Sequence, residues 1–314
     1  MAEQDMELLY SLAAVFMSIF AAEIIAGISI SLFIVAVNVQ DWYKGEMLNS
    51  CDKILLALGV SNFFYPLLSG LMLCLSLLQP QSISEVYYQV GYLLTLFTVL
   101  SSSWLTALLC FFYCVKIVHF KAGLTHYIKL KIDLIVPRLI LATELASAIG
   151  SVHVAWDFTK EYSANCTNIT AENSSLITFV SKKNVMHIAI PLIPSIITPF
   201  LIVMASTMCV IWSLFQHTRH MAQNMTQASR LRVHRRAAWT MVSLLFLYIM
   251  FYMTEVLLTF DALNAIIVLY IGTLILMFSC SPLQSIVLLL GNSKLLQKYQ
   301  KLLQCMSSKI KPAE

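Results

Sequence analysis

Charge is scarce in this sequence: 11% of its 314 residues are charged, against 59% hydrophobic. A soluble domain carries about 25% charged residues, so the composition excludes an ordinary water-soluble fold. Several apolar runs exceed the roughly 20 residues that cross a hydrocarbon core, which points to one polytopic bundle. Basic residues are also missing ahead of the first run. The opening MAEQDMELLY holds Glu3, Asp5 and Glu7 without Lys or Arg, so it lacks the positive start of a cleaved signal peptide. The first helix is expected to serve as its own insertion signal.

Catalytic patterns are equally thin. No His-Glu-x-x-His, paired metal-ligand spacing, Gly-rich phosphate loop or membrane aspartyl pair occurs, so no enzyme activity, metal or cofactor is expected. No lysine lies between Lys183 and Lys294, which excludes the Schiff base of a retinal pigment. Of the eight cysteines, Cys74, Cys110, Cys114, Cys209 and Cys280 fall inside apolar runs, and only Cys166 sits in a loop that would face an oxidising compartment. That is not a disulfide framework. The net charge of +4 comes from short loops between apolar runs, which reads as membrane orientation and not as nucleic-acid binding.

What is present is an all-α membrane pattern. Spans are expected near 8–39, 54–78, 86–118, 134–156, 185–215, 237–260 and 263–290, a seven-transmembrane helix bundle over residues 1–290 with a cytoplasmic tail at 291–314. Backbone groups in lipid must be satisfied internally, and runs this long are helices, not barrel strands. Of the twenty Lys and Arg residues, only Lys160, Lys182 and Lys183 fall outside the loops after spans one, three and five and the tail. This asymmetry puts the N-terminus outside. The sequons at Asn165, Asn168 and Asn173 cluster in the loop assigned to the outside and are expected to accept glycan; Asn224, assigned inside, is not.

Pro191, Pro194 and Pro199 in the fifth span and Pro282 in the seventh each remove a backbone donor and are expected to bend or locally unwind their helices, as a static kink or as a hinge. After Gly291-Asn292-Ser293, the apolar positions Leu295, Leu296, Tyr299, Leu302 and Leu303 alternate with Lys294, Lys298 and Lys301 at helical spacing. This predicts a short amphipathic helix on the inner leaflet lipid.

Polar residues inside a bundle are costly and usually face inward. Thr95, Thr98, Ser102 and Thr106 share one face of the third span, and Tyr248, Tyr252, Glu255 and Thr259 one face of the sixth. Two readings stay open for them: hydroxyls that back-bond to their own helices, and the lining of a small-molecule pocket with Glu255 as its main charged group. Glu23, Gly27, Ser31 and Asn38 share a face of the first span, and Glu144, Ser147 and Ser151 one of the fourth.

Seven spans with an outer N-terminus resemble a G-protein-coupled receptor, yet Asp-Arg-Tyr after the third span, Asn-Pro-x-x-Tyr in the seventh and a Cys near 86–92 are all lacking. The third span instead carries Trp104, Leu105, Leu109, Phe112, Tyr113, Lys116, Ile117 and Phe120 in the register of W-L-x-x-x-L-x-x-F-Y-x-x-K-I-x-x-F. With Asp41-Trp42, Pro199-Phe200, His234, Arg236, Ser285 and Gly291-Asn292, this chain resembles the type 2 (bitter) taste receptors as a divergent member. The family usually has Asn, Arg and His where Ser31, Asn62 and Gln284 stand, and Trp and Asn where Thr95 and Val99 stand. The resemblance implies a plasma-membrane receptor for a small-molecule bitter agonist, coupled to a heterotrimeric G protein of the gustducin or inhibitory type. The polar stripes offer Thr95, Thr98, Ser102, Tyr252 and Glu255 as ligand contacts, and by register the resemblance adds Val99, Phe251, Leu274 and Met277. Coupling falls to Tyr113, Lys116, His234, Arg236 and Lys294. The rivals are a related chemosensory receptor of the vomeronasal type 1 kind and a seven-helix transporter or channel.

Overall fold

The computed structural model describes residues 2–78, 85–118, 124–157, 185–221, 228–259 and 267–310. These form eight helices and no strand: α1 (Ala2–Tyr43), α2 (Ser50–Leu78), α3 (Glu85–Ile117), α4 (Leu124–Asp157), α5 (Val185–Met221), α6 (Ala228–Thr259), α7 (Ile267–Gly291) and α8 (Ser293–Ile310). Six helices, α1, α2, α3, α5, α6 and α7, are long and apolar enough to cross a membrane. The chain is thus a helical membrane bundle. The fourth, α4, carries Lys129, Lys131, Asp133, Arg138 and Glu144 within one stretch and is not in that set.

The helices close a ring in which α1 packs on α2 and α7, α4 on α5, α5 on α6 and α6 on α7, while α3 runs through the middle against α2, α4, α5 and α6. Lipid tails are as apolar as leucine, so burial alone does not drive this assembly; close fit and hydrogen bonds between helices do. The fully buried side chains, among them Ile34, Leu55, Leu58, Leu105, Leu109, Met241, Leu244, Leu288 and Leu295, concentrate toward the end that carries α8. Leu32, Leu67, Leu141, Ile149, Trp212 and Phe246 point outward, an apolar belt that in water would be a liability and in lipid is the solvated surface.

Helix ends follow their local chemistry. Gly45 adopts φ +79° and terminates α1, with Gly45 N–H donating to Trp42 carbonyl at 3.0 Å and Glu46 N–H to Asp41 carbonyl at 3.1 Å. This is the left-handed C-cap that favours glycine. Asn292 starts α8, its Oδ1 accepting from the backbone N–H of Lys294 at 2.9 Å and of Leu295 at 3.2 Å. Of the expected bending or local unwinding, unwinding does not occur: α5 stays helical across Pro191, Pro194 and Pro199, and α7 across Pro282. In α4, Pro137 cannot donate to the Asp133 carbonyl, and the Ser50 hydroxyl of α2 approaches that oxygen at 3.5 Å. A proline's lost bond thereby becomes a contact between helices.

Candidate functional site

Away from α8, the bundle encloses a cavity of about 430 Å³ lined by α2, α3, α5, α6 and α7. Thr95, Val99, Phe251, Tyr252, Glu255 and Met277 line it, so six of the nine expected contacts meet on one wall system. Tyr65, Ser69, Met72, Tyr92 and Leu96, which the sequence did not single out, line it as well, with Ile196 from α5 and Phe278 from α7. Aromatic rings cluster around Tyr252, which meets Phe200 edge-on at 5.9 Å, Phe251 edge-on at 5.7 Å and Tyr248 at a tilt at 5.6 Å between centroids. Such a lining, mostly apolar with a few polar groups, suits a small amphipathic ligand. Leu274 is half-buried on α7 and does not line this cavity.

A narrower chamber of about 50 Å³ adjoins it toward α8 and shares Tyr65, Val99, Ser103, Phe251 and Met277 with it. Thr98 and Ser102 belong to this inner chamber, with Asn62, Ser281 and Gln284. The hydroxyls of the α3 stripe differ in their partners. Thr95 donates to the Gly91 carbonyl at 2.8 Å, Thr98 to the Thr95 carbonyl at 2.7 Å and Thr106 to the Ser102 carbonyl at 2.7 Å, all within α3. Ser102 instead reaches across the bundle to Asn62 Oδ1 at 2.8 Å and Gln284 Oε1 at 3.2 Å.

Those bonds belong to a network through the positions where this chain departs from the family pattern. Gln284 Nε2 donates to Thr106 Oγ1 at 2.8 Å, Asn62 Nδ2 reaches Ser285 Oγ at 3.4 Å, and Ser285 Oγ lies 2.9 Å from Ser31 Oγ. One chain of neutral groups therefore ties α1, α2, α3 and α7. A second links Ser61 to Ser101 at 2.7 Å and Ser101 to Glu144 at 2.8 Å, across α2, α3 and α4. Glu23 of α1 accepts a hydrogen bond from Ser279 of α7.

At the α8 end, acids neutralise the lysines. Lys294 Nζ sits 2.8 Å from Asp41 and 3.0 Å from Asp52, and Lys298 also pairs with Asp41. Asp41 is 1% exposed, and Tyr299 packs edge-on against Phe33 at 5.4 Å, so α8 is docked on α1 and α2. Burial alone would lower the Lys294 pKa; the hydrogen bonds from it to Asp41 and Asp52 outweigh that and raise it. Lys116 pairs with Asp133 of α4 at 2.8 Å and lies over the Phe112 ring at 5.6 Å. That hydrogen bond is the main reason the Asp133 carboxyl stays below its ordinary value. Tyr113 lies 3.4 Å from Cys51 Sγ, and Arg236 is exposed on α6. His234 falls within α6, and its side chain lies outside the described residues, as do Asn165, Asn168, Asn173 and Asn224.

The model of the taste receptor protein (TAS2R) family matches residues 8–307. The chain belongs to that family. Membership makes it a G-protein-coupled receptor of the bitter taste class, a multi-pass membrane protein with small-molecule ligands, and disfavours the transporter and vomeronasal alternatives. The receptor is 31% identical to taste receptor type 2 member 4 of Homo sapiens over 242 residues, 74% of this chain and 78% of the relative. It is 27% identical to member 40 of Gallus gallus over 88% of this chain and 89% of the relative. Member 3 of Papio hamadryas is 27% identical over 95% of this chain and 96% of the relative.

Proposed function

We propose that the receptor binds small amphipathic bitter compounds in the cavity among α2, α3, α5, α6 and α7, and couples to a G protein of the gustducin or inhibitory type at the α8 end. The observation that carries this reading is the cavity of about 430 Å³, in which Thr95, Val99, Phe251, Tyr252, Glu255 and Met277 meet. Glu255 is its acidic group and offers a site for a basic or hydrogen-donating part of a ligand. A ligand acts only through different affinities for two helix arrangements, and the neutral network through Ser31, Asn62, Ser102, Gln284 and Ser285 is what such a rearrangement has to remake. In the coupling arrangement the inner ends of α3, α5 and α6 part, so that Tyr113, Lys116, His234, Arg236 and Lys294 meet the partner.

In this reading α4 is the fourth of seven spans, the N-terminus faces outward, and the receptor resides in the plasma membrane with glycan on Asn165, Asn168 and Asn173. The length of α4 and its packing between α3 and α5 support the count. Helix α8 lies along inner-leaflet lipid, where exposed Leu302 and Leu303 are covered by acyl chains. Calcium release in cells with and without a promiscuous G protein, against a panel of bitter compounds, tests the whole. Responses that require the G protein agree with the proposal, and an ionic current that does not require it counts against it.

A further inference from the structure

The inner chamber holds two buried hydroxyls without a partner among the described residues. Around them, Asn62, Ser102 and Gln284 are engaged in the network between helices, Thr98 on the Thr95 carbonyl, and Tyr248 on the Ser103 carbonyl at 2.7 Å. Tyr65 Oη and Ser281 Oγ have no hydrogen-bond partner among the described residues, although the two side chains are 6% and 7% exposed. Buried polar groups are nearly always paired, so two orphans on one small chamber need an explanation. Tyr65 lines both the chamber and the outer cavity, and Ser281 lines the chamber.

The chamber is also free of charge. None of its described lining residues is Asp, Glu, Lys, Arg or His. The amides Asn62 and Gln284 stand where the family pattern has cationic or titratable side chains, and an ionised group brought here would lose its water without meeting a counter-charge. A volume of about 50 Å³ admits a few waters or one small polar group.

We propose that this chamber is a second ligand subsite that takes an uncharged hydrogen-bonding group, such as a hydroxyl, carbonyl or primary amide, on the leading end of an apolar ligand whose body fills the outer cavity. The proposal rests on the reading of that cavity as the ligand site. It assigns Tyr65 and Ser281 as specificity-determining residues, with the hydroxyls answering donor and acceptor alike. A ligand that reaches them also touches the network on Asn62 and Gln284, which joins recognition to the helix arrangement.

The test uses purified full-length receptor and three probes that share one phenylpropyl body: phenylbutanamide, butylbenzene and phenylbutyrate, titrated by thermal shift. The amide is expected to bind about tenfold more tightly than the hydrocarbon, the worth of one net hydrogen bond, and more tightly than the carboxylate. Tyr65→Phe with Ser281→Ala removes oxygens that hold nothing in the fold, so this variant is expected to match the parent in unliganded melting temperature. It should erase the advantage of the amide and leave butylbenzene unchanged. Leu96 lines the outer cavity and not the chamber, and Leu96→Ala is expected to weaken all three probes alike. If the amide has no advantage, or keeps it in the double variant, while Leu96→Ala still weakens all three, the chamber holds water only and the proposal is overturned with the outer cavity intact. If no probe binds the parent, or Leu96→Ala changes none, the outer reading fails and the subsite with it.

Discussion

Asp41 and Asp133 both pair with lysine, and burial separates what the two pairs are worth. The Asp133 carboxylate is 59% exposed and Lys116 39%, so solvent screens the pair and Asp133→Asn is expected to cost under about 1 kcal/mol. Because Lys116 holds the Asp133 carboxyl below the ordinary value of 3.8, that small contribution is present above this pH and fades as pH falls through the lowered value. Asp41 is 1% exposed and answers Lys294 and Lys298 together. Asp41→Asn is expected to cost about 2 kcal/mol, less than a fully buried pair because both lysines remain one-third exposed. Thermal unfolding of the detergent-solubilised variants side by side checks the ranking. Glu255→Gln is expected to shift agonist potency about tenfold for basic agonists and little for neutral ones, measured as calcium dose responses; no shift across several agonists would remove Glu255 from the site. At this scale the sequence was partly legible. Glu255 stood out because a carboxylate in an apolar run demands a reason, whereas Tyr65 and Ser281 look like ordinary core residues until their hydroxyls are seen to be alone. The Asp41 and Asp52 partners of α8 were not legible at all, since more than 240 residues separate each from Lys294 and no local pattern joins them.

Elements were easier to read than their contacts. Long apolar runs announced the helices, and the 3.6-residue spacing after Gly291 announced α8, because both signals are local. Their ends proved less legible: α6 begins at Ala228 and α4 at Leu124, some ten residues before the apolar runs, because a charged stretch continues a helix beyond the hydrocarbon without changing its hydrogen bonds. The prolines leave their helices unbroken. Donors lost at Pro137 are met by a neighbour's hydroxyl, and α5 carries three prolines without breaking. The junction of α7 and α8 depends on one small residue: a Cβ on Gly291 would lie 2.3 Å from Thr240 Oγ1 and 2.9 Å from its Cγ2. Gly291→Ala is expected to lower the melting temperature of the receptor by several degrees, with partial recovery in Gly291→Ala/Thr240→Ala, since the Thr240 Cβ at 3.2 Å stays close.

For the molecule as a whole, family and architecture were written in residue types spread over the entire chain, while the cavity was not, because five helices contribute to it and its shape depends on how they pack. The orientation of the bundle has a direct biochemical check. Glycosidase treatment followed by mass mapping is expected to find glycan on Asn165, Asn168 or Asn173 and none on Asn224; glycan on Asn224 would invert the arrangement. A last consequence lies in the amides Asn62 and Gln284, which tie α1, α2, α3 and α7 without an ionisable group. A histidine at the Gln284 position would put a titratable imidazole into that linkage. With glutamine there, the linkage between the helices stays the same in sour and alkaline food, and any acidity dependence of the response has to come from the ligand or from carboxylates such as Glu255. Gln284→His is expected to make basal signalling vary between about pH 5 and pH 8 where the parent stays flat, a difference that a resting calcium baseline across that range would reveal.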